Sequence, residues 1–528
     1  MPSIALYDTT LRDGAQREGV HLTVEDKLRI ALRLDTLGVH YIEGGFPASN
    51  PRDSVFFEQA ARLELKSATL VAFGMTARKQ TLPSKDVGLQ ALAACSAPVV
   101  SLAGKAWGIQ VERVLETTPA ENLRMIFDSI AFLCAAGKRL FFDAEHYFDA
   151  YQADSSYALK VLEAAIDAGA EAVVLCDTNG GALPHQVAAI TRETLEALKA
   201  RNSASAQVTV GIHCHNDSGC AVANTLEAVR VGATQVQGTI NGYGERAGNA
   251  DLLIILANLE LKLGQELVGA ERLRLLTPTA NFVAETFTIA PDPYHPYSGS
   301  NAFAHKGGIH VSAALRSKGS YEHVSPEQVG NFSHIVVSEL AGKAALEAKA
   351  RELGIALPKE PKKLQELLDT VKERESQGYS YEVADASLAL LLKAESGEPA
   401  SCFKLESFRV LAEKREDGRV MSEATIKVLV DGERHVATGE GNGPVNALDA
   451  ALRLAIGRFY PQVANLELTD YKVRVLDESG GTDAVTRTVI ETTDGTTSWG
   501  TVGVSENIIE ASWDALVDSI TYGLLKTT

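Results

Sequence analysis

The chain has 528 residues, 45% apolar and 22% charged, with a formal net charge of −18. That length exceeds what one hydrophobic core usually serves, so two or more domains are expected in a globular protein. The acidity speaks against nucleic acid or an anionic membrane surface as partner, since both call for clustered Lys and Arg, so an anionic substrate must be held locally by a metal or a placed Arg.

The first half repeats one pattern, a short β-rich apolar run followed by a longer stretch of helical period. The runs are Ile4–Tyr7, Val39–Glu43, Thr69–Phe73, Pro98–Leu102, Arg139–Asp143, Ala172–Cys176, Val208–Ile212 and Gln235–Ile240. Between them lie amphipathic segments such as Thr23–Leu37, Ala120–Ala136, Ser156–Ala168, Pro184–Ala200 and Ala221–Val231. Thr23 with Asp26 predicts an N-cap, and Gly38, Gly137 and Gly169 stand just past helix ends. Strands alternating with helices imply a parallel sheet, and eight such units in about 250 residues predict an α/β fold of the (β/α)8 TIM-barrel type. An open doubly wound sheet is the alternative, but no GxGxxG follows the first run.

Beyond about residue 275 the pattern changes. Residues 277–325 are rich in Pro, Tyr, His and Gly, residues 339–395 read as charged helices, and 395–401 as a linker. Ala424–Ala455 and Thr488–Ile520 each read strand, Asp-Gly turn, strand, helix, which predicts an α+β domain of two ββα units. The expected domains are therefore a barrel at 1–275, helical and loop subdomains at 276–398, and a C-terminal domain at 399–528 serving binding or regulation. The six Cys residues (95, 134, 176, 214, 220 and 402) show no CxxC spacing, which fits a reducing compartment. The N-terminus has no signal-peptide pattern and no apolar run is long enough to span a membrane, so a cytoplasmic protein is expected.

Chemistry on such a barrel belongs at the C-terminal ends of its strands. His213 and His215, two apart on a strand, point the same way and are a natural ligand pair for a divalent metal; alone they read equally as histidines held by loop hydrogen bonds. Asp13 follows the first strand, which only the eighth separates from the seventh, so its carboxylate can reach the same point. Asn249 offers a further oxygen, and this set suits Zn²⁺, Mn²⁺ or Mg²⁺. Arg12 is placed to polarise a bound carbonyl, or else to close a salt bridge at the barrel end. Glu145, ending the fifth strand, suits a general base, although Asp143, His146 and Asp149 beside it are not separated from it by chemistry alone. The hydroxyl of Thr178 fits a substrate carboxylate or a turn equally well.

The segments Tyr7-Asp-Thr-Thr-Leu-Arg-Asp-Gly-Ala-Gln16, Ile42-Glu-Gly-Gly-Phe-Pro47, Cys176-Asp-Thr-Asn-Gly180, His213-x-His215-Asn-Asp217 and Asn241-Gly-Tyr-Gly-Glu-Arg-Ala-Gly-Asn249 resemble the signatures of the 2-isopropylmalate, homocitrate and citramalate synthase family. Asn301-Ala-Phe-Ala-His-Lys-Gly-Gly-Ile-His310 resembles its post-barrel motif, and the match runs in order along the chain. Gln16-Arg-Glu-Gly19, Ala103-Gly-Lys-Ala-Trp107 and Glu145-His-Tyr-Phe-Asp149 are most similar to its longer citramalate synthase branch.

The resemblance implies a Claisen-type condensation of acetyl-CoA with a small 2-oxo acid, pyruvate in that branch, followed by thioester hydrolysis. It assigns Asp13, His213, His215 and Asn249 to the metal, Arg12 to the keto oxygen, Thr178 to the substrate carboxylate and Glu145 to proton transfer. It places His310 and Tyr321 in the partner subunit's site, which implies a homodimer, and implies isoleucine as effector of the C-terminal domain. The alternatives are 2-oxoisovalerate or 2-oxoglutarate as acceptor, or a hydroxy-acyl-CoA lyase of the same superfamily, which usually lacks the C-terminal domain. A carboxyltransferase would need a biotinyl Lys in Met-Lys-Met, which is absent, and an amino-acid sensor with a dead barrel would not need Arg12, Asp13, Glu145, His213 and His215 intact.

Overall fold

The computed structural model describes residues 4–201, 208–306, 321–335, 342–358, 360–414, 418–476 and 484–526, with positions 313, 317, 319 and 416. All eight expected runs form strands: β1 (Ala5–Asp8), β2 (Tyr41–Gly45), β3 (Thr69–Met75), β4 (Val99–Lys105), β5 (Arg139–Glu145), β6 (Ala172–Asp177), β7 (Thr209–Cys214) and β8 (Gln235–Gly238). They are parallel and close in sequence order, with β8 pairing back to β1 in the register Leu6↔Val236 and Asp8↔Gly238.

Several strands run past their apolar stretch into polar residues. β4 continues to Lys105 and β5 to Glu145, paired throughout, because the interior face near the barrel mouth is polar. Its lower interior is apolar, packed by Tyr7, Val71, Val99, Phe141 and Ala172. β8 instead stops before Ile240. A Cβ at Gly238 would lie 2.5 Å from Ala250 O, and the returning chain takes the next hydrogen bond, from Thr239 N to Ala250 O.

The helices follow their signals. Val24–Leu37 starts in a Thr23/Asp26 capping box and ends on Gly38 at φ 96°, a left-handed position that favours Gly. Helix Tyr147–Asp167 begins well before the expected Ser156. Asp154 breaks it at φ −154°, ψ 89°, and its side chain caps the following turn by accepting from Tyr157 N, so the expected start is that of the second half. Helix Leu276–Thr286, beyond residue 275, buries Leu276, Ala280, Val283 and Ala284 in the shell that packs around the barrel.

A second compact unit comprises residues 304–323 and 333–528. Helices Lys343–Glu352, Pro361–Ser376 and Asp385–Ser396 lead into the C-terminal sheets. Each repeat is βββα rather than the expected ββα: strands Lys404–Lys414 and Glu467–Val475 add a third antiparallel member to each sheet. These two strands are mostly exposed and carry charges on both faces, so they lack the alternation that marks a half-buried strand. The repeat extends to helix–sheet contact. A Cβ at Gly439 would lie 2.4 Å from Ala451 N and one at Gly503 2.0 Å from Ala511 O, so both helices sit directly on glycine. No helix among the described residues is long and apolar enough to cross a membrane, and all six Cys are free thiols.

In this unit burial pushes the Asp518 carboxyl up to about 6; the Ser387 hydroxyl that donates to it opposes the rise, and nearby Asp514 adds to it. A carboxyl raised in the folded state stabilises below its unfolded value, and that stability is lost as pH climbs from about 4 to about 6. Asp518→Asn is therefore expected to stabilise the unit at pH 8 by on the order of 1–3 kcal/mol and leave pH 4 almost unchanged. Thermal melts at the two pH values check this, and an unchanged pH dependence would refute it.

Candidate functional site

Barrel closure brings the ends of β1 and β7 together. Asp13, in the turn after β1, places Oδ2 3.3 Å from His213 Nε2 and 3.7 Å from His215 Nε2. One ligand atom from each residue falls within 4.8 Å of the others, and all three side chains are buried. His215 pairs with Asn249 in an isolated antiparallel bridge, which carries Asn249 to the same mouth. Asn249 Nδ2 donates to Tyr243 O at 3.2 Å. Gly244 gives it room, since a Cβ there would meet that nitrogen at 2.1 Å.

Asp13 Oδ2 and Asn249 Oδ1 are buried with no hydrogen-bond partner, the short approach of His213 to Asp13 not being aligned for one. A buried unpaired oxygen is costly unless something satisfies it. A carboxylate, two imidazoles and an amide oxygen with idle lone pairs form a donor set that fits a divalent cation. Burial works against the Asp13 charge, but Arg12 and the imidazoles hold its carboxyl well below the usual range. Burial lowers His215 to about 4, helped by the neighbouring His213, so it stands neutral with a lone pair to give.

Arg12 is largely buried, its side chain 15% exposed, and its charge is fixed from two sides. Its Nε donates to Glu43 Oε1 at 2.5 Å, and its guanidinium lies 4.1 Å from the Phe73 ring centroid. Burial alone would favour its neutral form; Glu43, with Asp13, more than reverses that. Glu43 in turn accepts from Tyr7 Oη at 2.5 Å. The salt-bridge reading of Arg12 thus holds, and the same pairing aims the guanidinium along the barrel mouth beside Asp13.

Glu145 stands next to Lys105 across the β4–β5 register, with Nζ 2.5 Å from Oε1. The residue after it, His146, is in the left-handed region at φ 58°. Such a conformation costs a non-Gly residue roughly 1–2 kcal/mol. It is held by Thr178, whose Oγ1 accepts from His146 N at 2.8 Å, a contact between the loops after β5 and β6 rather than within Thr178's own turn. Arg246 ties three loops together: it reaches Thr178 O at 2.9 Å and Asp217 Oδ1 at 2.8 Å from the loop after β8. Tyr321 lies in the second unit and is half exposed, while His310 lies outside the described residues.

Sequence reasoning missed Glu43, Lys105, Arg246 and Gln237, whose Oε1 lies 2.9 Å from His213 Nδ1. A usable signal existed for Gln237. It alternates with Val236 on a strand covered on both faces, where an inward polar residue calls for a partner.

The chain resembles known proteins along nearly its whole length. It is 50% identical over 524 residues to the (R)-citramalate synthase of Aquifex aeolicus, covering 99% of this chain and 98% of that one. The chain belongs to the family of the (R)-citramalate synthases. The Streptomyces coelicolor member is 50% identical over 526 residues, covering 99% and 97% of the two chains. A probable 2-isopropylmalate synthase of Methanopyrus kandleri is 33% identical over 520 residues, covering 98% and 97%. Within this family chain, residues 3–278 match the HMGL-like family, 298–378 the homocitrate synthase post-HMGL domain-like family and 382–524 the LeuA allosteric (dimerisation) domain.

Glu43→Gln keeps the size of the side chain but leaves the largely buried Arg12 without its main counter-charge. A broken buried pair costs about 3–5 kcal/mol, and a loss of this size in urea unfolding is expected. A midpoint shift equivalent to less than about 1 kcal/mol would show that the Arg12 charge is balanced elsewhere.

Proposed function

We propose that the protein is a citramalate synthase, joining the acetyl group of acetyl-CoA to pyruvate and releasing citramalate and CoA. The observation that carries this reading is half identity along the whole chain to (R)-citramalate synthases, in a chain whose Arg12, Asp13, His213 and His215 converge at one barrel mouth. The lower identity to 2-isopropylmalate synthases, 33% and 32%, supports pyruvate rather than a larger acceptor for this chain.

Asp13, His213 and His215 would hold the cation, with Asn249 as a further oxygen donor. When bound, Mn²⁺, Mg²⁺ or Zn²⁺ supplies a Lewis acid for the carboxylate and keto oxygen of the 2-oxo acid. The remaining work falls to the chain itself. Arg12, fixed by Glu43 and Phe73, stabilises negative charge on the keto oxygen as the carbonyl carbon is attacked. Glu145, beside Lys105, takes a proton from the acetyl methyl, and the carbanion forms the new carbon–carbon bond. Thr178 holds the substrate carboxylate with the hydroxyl hydrogen left over from its contact with His146. The alkoxide left on the former keto carbon takes up a proton to become the hydroxyl, and Glu145 gives up the proton it took. Water then cleaves the thioester, its OH going to the acyl carbon and CoA leaving as the thiol. His310 and Tyr321 are assigned to the partner's site in a homodimer, and residues 399–528 to feedback control by isoleucine; the LeuA allosteric (dimerisation) match supports both assignments. With a barrel at 1–275 and connecting subdomains at 276–398, this describes a cytoplasmic biosynthetic enzyme.

CoA release with Mn²⁺ or Mg²⁺ is expected to be fastest with pyruvate when pyruvate, 2-oxoisovalerate and 2-oxoglutarate are compared at equal concentration. Preference for either larger acid would overturn the substrate and keep the chemistry. His213→Ala is expected to lose nearly all turnover, and normal activity would refute the site. Isoleucine is expected to lower the rate of the full chain and to leave a chain ending near residue 398 unaffected; inhibition that survives the truncation would remove the effector from the C-terminal domain.

A further inference from the structure

Three buried polar side chains on three strands run in a line toward His213. Ser101 Oγ on β4 donates to Asp143 Oδ2 on β5 at 2.8 Å. Gln237 Nε2 on β8 reaches across the barrel interior to Asp143 Oδ1 at 3.3 Å. Gln237 Oε1 then meets His213 Nδ1 at 2.9 Å. Ser101 and Gln237 have no exposed surface, and Asp143 and His213 are 5% and 6% exposed.

The donor and acceptor inventory leaves this line one arrangement. A carboxylate only accepts, so the face of the Gln237 amide turned to Asp143 must be its NH₂ group. The opposite face is then the carbonyl oxygen, which also only accepts, so His213 must carry its proton on Nδ1. In the neutral imidazole, the form that can bind a cation, that leaves the lone pair on Nε2, the nitrogen facing Asp13. His215 has no such support, since its Nδ1 is buried with no hydrogen-bond partner.

We propose that Ser101, Asp143 and Gln237 are positioning residues that fix the tautomer and ring orientation of His213 and so tune its grip on a divalent cation. This rests on the metal reading of Asp13, His213 and His215 and adds to it which imidazole is preset and by what. A carboxylate or carbonyl behind a ligating histidine fixes its orientation and raises its basicity, and loss of such a partner costs about 10–100-fold in metal affinity. Here the carboxylate acts one amide away, so its charge sets the direction of the amide rather than touching the ring.

A merely space-filling Gln237 would affect stability but not affinity, so the test is Mn²⁺ titration of the metal-stripped full chain, followed by loss of the free-ion resonance signal. Gln237→Leu removes the acceptor and is expected to raise the Mn²⁺ dissociation constant about 10–100-fold. The paired variant Gln237→Glu with Asp143→Asn, which still offers His213 an oxygen and keeps a donor–acceptor pair between positions 143 and 237, is expected to stay close to the unaltered chain. Asp143→Asn, equal in size, frees the amide to turn over and is expected to weaken Mn²⁺ binding in the same direction. It decides the matter if Gln237→Leu fails to fold. Unchanged affinity in Gln237→Leu or, failing that, in Asp143→Asn overturns the relay, as does a paired Gln237→Glu/Asp143→Asn variant as weak as Gln237→Leu. Asp13→Asn separates the two readings. If it binds Mn²⁺ as well as the unaltered chain, the metal site itself is wrong. If it alone loses binding, the site stands and the relay falls.

Discussion

β1 is hydrogen-bonded on both edges, to β2 through Tyr7↔Tyr41 and to β8 through Asp8↔Gly238. This double pairing turns a sheet into a barrel, and the site depends on it. Asp13 and His213 are two hundred residues apart in the chain, yet their side chains approach to 3.3 Å because only β8 lies between their strands. In an open sheet β1 and β8 would be free edges, and the carboxylate and the imidazoles would be strangers. The pairing is non-local, and its loop-closure entropy must be met before any of these contacts forms. The shell of apolar side chains between strands and helices supplies that driving force.

Within the closed barrel the mouth concentrates charge. Arg12 with Glu43 and Lys105 with Glu145 are pairs set in largely buried surroundings. Such pairs contribute little net stability, because desolvation consumes most of their attraction, yet losing one partner is expensive. Their value lies in rigidity. A guanidinium held by Glu43 and stacked on Phe73 needs no rearrangement when negative charge appears nearby, and dipoles fixed beforehand are what make a dry site effective. Stability is supplied by the outer shell, and direction by the mouth.

The fold was legible because parallel strands buried on both faces read as continuous apolar runs, and all eight stood out. The metal-type cluster was legible because the i, i+2 spacing of His213 and His215 survives any modest error in strand boundaries. What stayed hidden had little local signature. Strands Lys404–Lys414 and Glu467–Val475 lie at sheet edges, largely in solvent, and their residues look like loop. Glu43, Lys105 and Gln237 gain their meaning from partners on other strands, at separations that no periodicity records. Thr178 was undecided between a substrate contact and its own turn, and its hydroxyl oxygen instead accepts from His146 on another loop, a partner that no local pattern records.

The polar line from Ser101 through Asp143 to Gln237 also bears on how this barrel can change over generations. Each member consumes the hydrogen-bonding capacity of the next, so a single replacement strands a buried donor or acceptor at a cost of about 1–3 kcal/mol. Neighbours in one network do not vary independently. Positions 101, 143 and 237 should therefore drift as a set, with an apolar or aromatic side chain at 143 admitted only alongside a different residue at 237. The inside of the barrel carries heritable grammar as well as packing, and its three words are scattered over strands four, five and eight.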